Sequence, residues 1–109
     1  MYLHKGELNG QRFLSRTTIQ SILSNQTGDL FGDPGAYYGL AFGVTTQQGQ
    51  DKGGQGSVGA FGWGGYFNTA YFADPKEDVI GVIFKQTQNA NDDHTSSTFK
   101  ILVEQAIDD

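Results

Sequence analysis

At 109 residues, with 16 Gly, eight Phe, five Tyr and one Trp, the chain is one domain or part of one and can bury a single modest core. A net charge of -5 with seven scattered Lys and Arg excludes a surface built for nucleic-acid phosphates, and the absence of Cys excludes disulfides, thiolate metal sites and Cys nucleophiles. No apolar run approaches the roughly 18 residues of a membrane span and no signal-peptide core opens the chain, so composition leaves the compartment undefined.

Turn signals at Gly6 and at Asn9-Gly10 come first. Ser15 reads as an N-cap, and Ile19, Ile22 and Leu23 fall on one face of a short amphipathic helix predicted over 16–24. A turn-rich stretch over 25–36 leads to a strand predicted over 37–46, in which Tyr38, Leu40, Phe42 and Val44 alternate with Gly39, Ala41 and Gly43. The polar, Gly- and Gln-rich stretch 45–57 reads as a mobile loop. Further strands are predicted over 58–64, 66–73 and 79–86. The last two are joined by Asp74-Pro75-Lys76-Glu77-Asp78, whose charges are expected to stand in water. The apolar run from Val79 to Phe84 has the pattern of a strand covered on both faces. After a polar loop, Phe99, Leu102, Val103, Ala106 and Ile107 recur at helical spacing and predict a helix over 97–107. The expected fold class is α+β: an antiparallel sheet of about four strands, the C-terminal helix on one face and the helix at 16–24 peripheral.

Phe61-Gly62-Trp63-Gly64-Gly65, Thr69, Asp74 through Asp78 and Ile80-Gly81-Val82 follow one another over residues 58–84. Upstream stand Gly6-Glu7-Leu8-Asn9-Gly10, Phe13-Leu14-Ser15 and Tyr38-Gly39-Leu40 before Phe42-Gly43-Val44. In this order the motifs resemble the serine hydrolases that include class C β-lactamases, penicillin-binding proteins, D,D-peptidases and related esterases. That family builds its active site from a Ser-x-x-Lys that supplies nucleophile and amine, a Tyr-x-Asn proton relay, and a strand motif such as Lys-Thr-Gly or Trp-Gly-Gly. The first two precede the third by a long stretch. The resemblance therefore implies a single partial domain over 1–109, the C-terminal portion of a β-lactamase-like hydrolase without its nucleophile.

On that resemblance, Trp63, Gly64 and Gly65 would bind substrate, because Gly lets a strand backbone approach a ligand closely. The Tyr66 backbone N–H would serve the oxyanion hole. Trp63 in place of the lactamase Lys would recognise substrate by packing rather than by holding a carboxylate, which points toward ester or peptide chemistry. Tyr66-Phe67-Asn68 departs from the small residues common after Trp-Gly-Gly and leaves the substrate class open. The implied partners are a small-molecule or peptide acyl substrate, and either the missing N-terminal part or a second copy at an exposed sheet edge. No cofactor is implied. A non-catalytic sheet module that keeps the Trp63 groove as a ligand surface is the alternative.

Several patterns have plainer explanations. Ser97-Thr98-Phe99-Lys100 is formally Ser-x-x-Lys and Tyr66-Phe67-Asn68 formally Tyr-x-Asn, but the two occur in reversed order, one at a helix start and the other on a predicted strand. Ser97 reads as part of the helix N-terminus, capped by Ser96 or Thr95. His4 and His94 read as solvated, and Asp92-Asp93 as acids favoured by the helix dipole rather than a metal site. Asp74, Glu77 and Asp78 read as a hairpin tip, since calcium loops need more ligands at regular spacing.

Overall fold

A computed structural model describes residues 1–32, 37–88 and 92–107. The N-terminal segment forms a small hairpin, β1 (Glu7–Leu8) against β2 (Gln11–Arg12). Asn9 and Gly10 both take positive φ, 51° and 76°, which is the turn that Asn-Gly favours because its twist matches that of the strands. Helix α1 (Arg16–Leu23) begins as the sequence predicts: the Ser15 side chain accepts from the Thr18 N–H at 3.0 Å, and Ile19 is buried.

The main sheet has five strands rather than about four: β3 (Tyr37–Tyr38), β4 (Gly43–Val44), β5 (Phe61–Gly64), β6 (Ala70–Asp74) and β7 (Val79–Ile83). Their spatial order is their chain order, and every neighbouring pair is antiparallel. The extra strand arises because the single strand expected over 37–46 is a hairpin. The Gly39 N–H reaches the Phe42 carbonyl at 2.8 Å and the chain reverses through Leu40-Ala41. Alternating bulky and small residues suit both arms of a tight hairpin as well as one long strand, so the pattern could not separate the two.

The expected strand over 66–73 likewise begins only at Ala70. Residues 65–69 form a turn in which the Gly65 N–H donates to the Thr69 carbonyl at 2.8 Å and Asn68 takes φ 61°. Tyr66-Phe67-Asn68 is therefore not on a strand. The stretch 45–57 contains a short helix, α2 (Gln47–Asp51), capped by Thr46 accepting from the Gly49 N–H. Helix α3 (Thr95–Gln105) starts two residues earlier than predicted. His94 stands at its cap position without a side-chain cap bond, and Thr95 and Ser96, expected to cap it, lie inside the helix; Asp93 accepts from the Thr95 N–H at 2.9 Å and pairs with Lys85 at 2.8 Å.

Register explains the two faces. One row across the sheet reads Tyr37, Val44, Phe61, Ala73 and Ile80. Its first four members form the buried core, covered by Tyr2, Leu3, Leu23 and Phe42. The adjacent row, on the opposite face, reads Tyr38, Gly43, Gly62, Phe72 and Gly81. Here Phe72 lies between glycines: a Cβ at Gly81 would overlap its ring, and one at Gly62 would overlap the Tyr71 carbonyl oxygen. Helix α3 packs on this face, with Phe99 edge-on to Phe72 at 6.1 Å and the Lys100 Nζ 5.6 Å from the ring centre. Leu102, expected on the packed side, is 59% exposed.

Two further expectations are corrected. The strand β7 is covered on one face only: Ile80 and Val82 are exposed, and Phe84 just beyond it is 86% exposed. Asp74 is not part of a solvated tip but is 3% exposed. Its carboxylate accepts from the N–H groups of Ser57 at 2.8 Å, Lys76 at 3.0 Å and Glu77 at 3.4 Å, so it ties the β6–β7 turn to the chain entering β5. No helix of the described residues is long and apolar enough to cross a membrane, and none of their His, Asp and Glu side chains form a group that could hold a metal ion.

Two expected outcomes follow from these contacts. Burial pushes the Asp74 carboxyl up, but the donors from Ser57, Lys76 and Glu77 outweigh it and hold the group below the usual carboxylate range. A depressed folded-state pKa stabilises the fold fully above the unfolded value of about 4, and that contribution is lost as pH falls through the lower folded value. Asp74→Ala should cost about 2–3 kcal/mol near neutral pH, since it leaves buried donors unpaired. Asp74→Asn should flatten the loss of stability below about pH 4, read by urea melts across pH.

The second outcome concerns β7. No strand of the described residues pairs with its outer edge, and Ile80, Val82 and Phe84 stand exposed along it. Concentration-dependent association is expected in light scattering, and Val82→Lys should weaken it. A monomer at high micromolar concentration in both proteins would contradict this.

Candidate functional site

Strand β5 is central in the sheet, yet its two ends differ. At Phe61 and Gly62 it is flanked on both sides, by Val44 and Gly43 of β4 and by Ala73 and Phe72 of β6. At Trp63 and Gly64 it keeps only its β6 partners, Tyr71 and Ala70, because β4 has already ended. Ladder bonds alternate sides along an antiparallel strand. The Ala60 carbonyl accepts from the Thr45 N–H on the β4 side, whereas the Gly65 N–H donates to Thr69 on the β6 side. By that alternation the N–H and carbonyl of Gly64 point to the side that β4 leaves open. Among the described residues, a central strand thus offers one donor and one acceptor without a strand partner beside a half-exposed indole.

Glycine is needed at two of these positions. A Cβ at Gly62 would run into β6, and one at Gly65 would overlap the side-chain hydroxyl of Thr69, whose carbonyl closes the turn. At Gly64 the nearest atom to such a Cβ is the Thr69 carbonyl oxygen at 3.7 Å, so the space above Gly64 is open. The small residue there leaves room for a ligand to lie against the backbone. Tyr66 follows in the turn. Its side chain is 80% exposed, edge-on to Phe67 at 5.2 Å, and its N–H makes no backbone hydrogen bond among the described residues.

Trp63 is 51% exposed and rests edge-to-face on Tyr38, with ring centres 5.6 Å apart. Tyr71, its partner on β6, packs against Phe42 at 6.2 Å. Burial, and then the neighbouring Tyr2, raise the Tyr71 phenol above its ordinary pKa, so it stays protonated at neutral pH and is no candidate base.

The four residues singled out from sequence, Trp63, Gly64, Gly65 and Tyr66, therefore form one continuous strand end and turn. The lookalike motifs do not join them. The Ser97 hydroxyl donates to the His94 carbonyl within α3, while the Lys100 amine reaches the Gln55 carbonyl at 3.1 Å and Glu104 at 3.7 Å. Amine and hydroxyl thus have separate structural partners. The Asn68 amide donates to the Thr87 hydroxyl. His4 and His94 are both exposed, and Asp92 and Asp93 stand beside α3. What the sequence did not indicate is the contribution of Phe31, Tyr38 and Leu40 to the surroundings of Trp63. The one signal for it was Gly39, which marks the reversal that turns Leu40 toward the indole.

Two comparisons with known proteins bear on this geometry. No curated protein matches the chain in a sequence search. The Beta-lactamase family model matches residues 1–105, nearly the whole chain and including the hairpin, the five-stranded sheet and all of α3. A match of that extent assigns the chain to the Beta-lactamase family.

Proposed function

We propose that this chain supplies the substrate-binding wall of a serine hydrolase that works through an acyl-enzyme, with the nucleophile contributed by a segment outside residues 1–109. One observation carries the reading: β4 stops at Gly62, so the next strand residues keep an unpaired backbone edge in a chain of the Beta-lactamase family. An acyl substrate with a flanking amide would extend along that edge, its N–H and carbonyl pairing with those of Gly64 as an added strand does. Trp63 would pack on the group attached to the acyl carbon. The Tyr66 N–H, at the start of the turn, would donate to the oxygen that becomes negative when the nucleophile adds to the carbonyl. As the new C–O bond forms, the nucleophile's hydroxyl passes its proton to an adjacent base; the bond from the acyl carbon to the leaving group then breaks and the leaving group takes that proton, after which water adds to the acyl carbon and releases the acid and the free hydroxyl. Within residues 1–109 the only Ser-x-x-Lys is Ser97 to Lys100, whose two side chains serve α3 and its neighbouring loop.

Two measurements test this. The chain alone, treated with a fluorophosphonate or a β-lactam, should show no covalent adduct by intact mass. A stoichiometric adduct on Ser97 would contradict the reading. In a protein that joins this chain to a segment carrying Ser-x-x-Lys and Tyr-x-Asn from the same reading frame, Tyr66→Phe should keep turnover within a few-fold. Tyr66→Pro removes the N–H and should lower turnover about 10²–10³-fold, the usual effect of one oxyanion donor. Thermal melts matched to the parent separate this from unfolding. Full turnover in a folded Tyr66→Pro protein would remove the assignment.

A further inference from the structure

The corner left by β4 is not an empty rim. A cavity of about 380 Å³ opens there, lined by Phe31, Tyr38, Leu40, Phe42 and Trp63 together with Thr27 and the backbone of Gly39 and Ala41. Among the described residues, none that lines it is charged. The lining comes from three separate pieces of chain: the turn after α1, the β3–β4 reversal and the end of β5. Each piece is fixed by its own contacts.

The Asn25 side chain accepts from the N–H groups of Thr27 and Gly28, and the Leu30 N–H donates to the Thr27 carbonyl, which sets the course of the chain to Phe31. Thr27 is tied to β3 by accepting the Tyr38 N–H, and so its oxygen is already engaged. Phe31 meets Tyr38 edge-on at 5.3 Å, and Tyr38 meets Trp63 edge-on at 5.6 Å. The three rings make one continuous aromatic wall. Leu40, at the tip of the reversal, is 67% exposed, and Phe31 is 58% exposed, so neither is spent on the core.

We infer that this cavity is a binding subsite for an aromatic ring carried by a neutral acyl compound, and that Phe31 and Leu40 determine that preference. The inference rests on the substrate-binding role proposed for the Trp63–Gly64 edge and names the group that lies beside it. Size, lining and position agree. The volume is at the small end for ligand sites, enough for one ring with a short link. A wall of rings stacked edge-to-face favours another ring over an aliphatic group, because ring edges and faces are electrostatically complementary. With no charged side chain among the described lining residues, none of these offsets the desolvation of a carboxylate or ammonium substituent. Trp63 belongs both to the cavity and to the open strand end, so a ring seated in the cavity has its linking amide next to Gly64.

Trp63 is the only tryptophan in the chain, so its fluorescence reports on this site alone. The experiment titrates the chain, as it stands, with N-benzylacetamide, N-(cyclohexylmethyl)acetamide and N-methylacetamide. The expected result is a saturable change in Trp63 emission with the benzyl compound, at least tenfold weaker binding of the cyclohexyl compound, and no saturation with the methyl compound. Leu40→Asp and Phe31→Ala should each weaken benzyl binding about tenfold while leaving the thermal melt unchanged, because both side chains are exposed. Phe84→Ser, just beyond β7 at the edge of the sheet away from β3 and β4, should bind like the parent.

No saturable signal, or one indifferent to Leu40→Asp and Phe31→Ala, would overturn the subsite. Equal binding of the benzyl and cyclohexyl compounds would overturn its aromatic preference. The readout needs no nucleophile. Loss of the Tyr66 effect on turnover with benzyl binding intact would therefore remove the catalytic reading alone, and the reverse result would remove the subsite alone.

Discussion

The passage of the chain over the end of α1 determines the shape of everything near Trp63. The Leu40 N–H donates to the Ile22 carbonyl at 3.0 Å, and a Cβ at Gly39 would overlap that same carbonyl oxygen. Only glycine lets the strand lie against the last turn of the helix, and once it lies there it must reverse. That contact shortens β4 to two residues. A longer β4 would have paired with Trp63 and Gly64 and closed the edge; the helix end keeps it open. A helix terminus with unsatisfied carbonyls and a glycine beside it thus converts an interior strand into a locally exposed one.

A second constraint acts on the opposite face. The Phe72 ring occupies space that a side chain at Gly81 would fill, and the β6 backbone at Tyr71 leaves no room for one at Gly62. With its neighbours reduced to backbone, the ring can receive Phe99 and Lys100 of α3 directly. The glycines of β5 consequently serve two purposes. Gly62 lets the backbone of β6 approach closely, while Gly64 leaves open space on the strand end.

Local signals in the sequence were read correctly where the cause is local. Ser15 before an Ile19-Ile22-Leu23 face specifies a capped helix from residues 15–23 alone, and the recurrence from Phe99 to Ile107 specifies another. The ordered motifs from Gly6 to Val82 pointed to the hydrolase family whose model matches the chain. What escaped depended on partners distant in sequence. Asp74 looks like a solvated turn residue until Ser57, 17 positions earlier, is brought beside it. Tyr66 and Phe67 have strong strand preference, yet Gly65 and the positive φ of Asn68 bend them into a turn. The row of apolar residues in β7 carries no mark of which face has a cover. The Phe31–Tyr38–Trp63 wall required the reversal at Gly39, which alternation alone conceals.

The strictly sequential strand order has a consequence for how the molecule assembles. Each strand of the main sheet pairs only with the one before or after it in the chain, so β5, β6 and β7 can zip together from two short turns with little loop closure. Such a meander is a natural nucleus, formed early from near neighbours. The β3–β4 reversal must instead wait for α1 to be in position, because its geometry is dictated by the Ile22 carbonyl. The stretch of the sheet nearest Trp63 is thus the part expected to order last and to open first, through fluctuations that leave the meander intact.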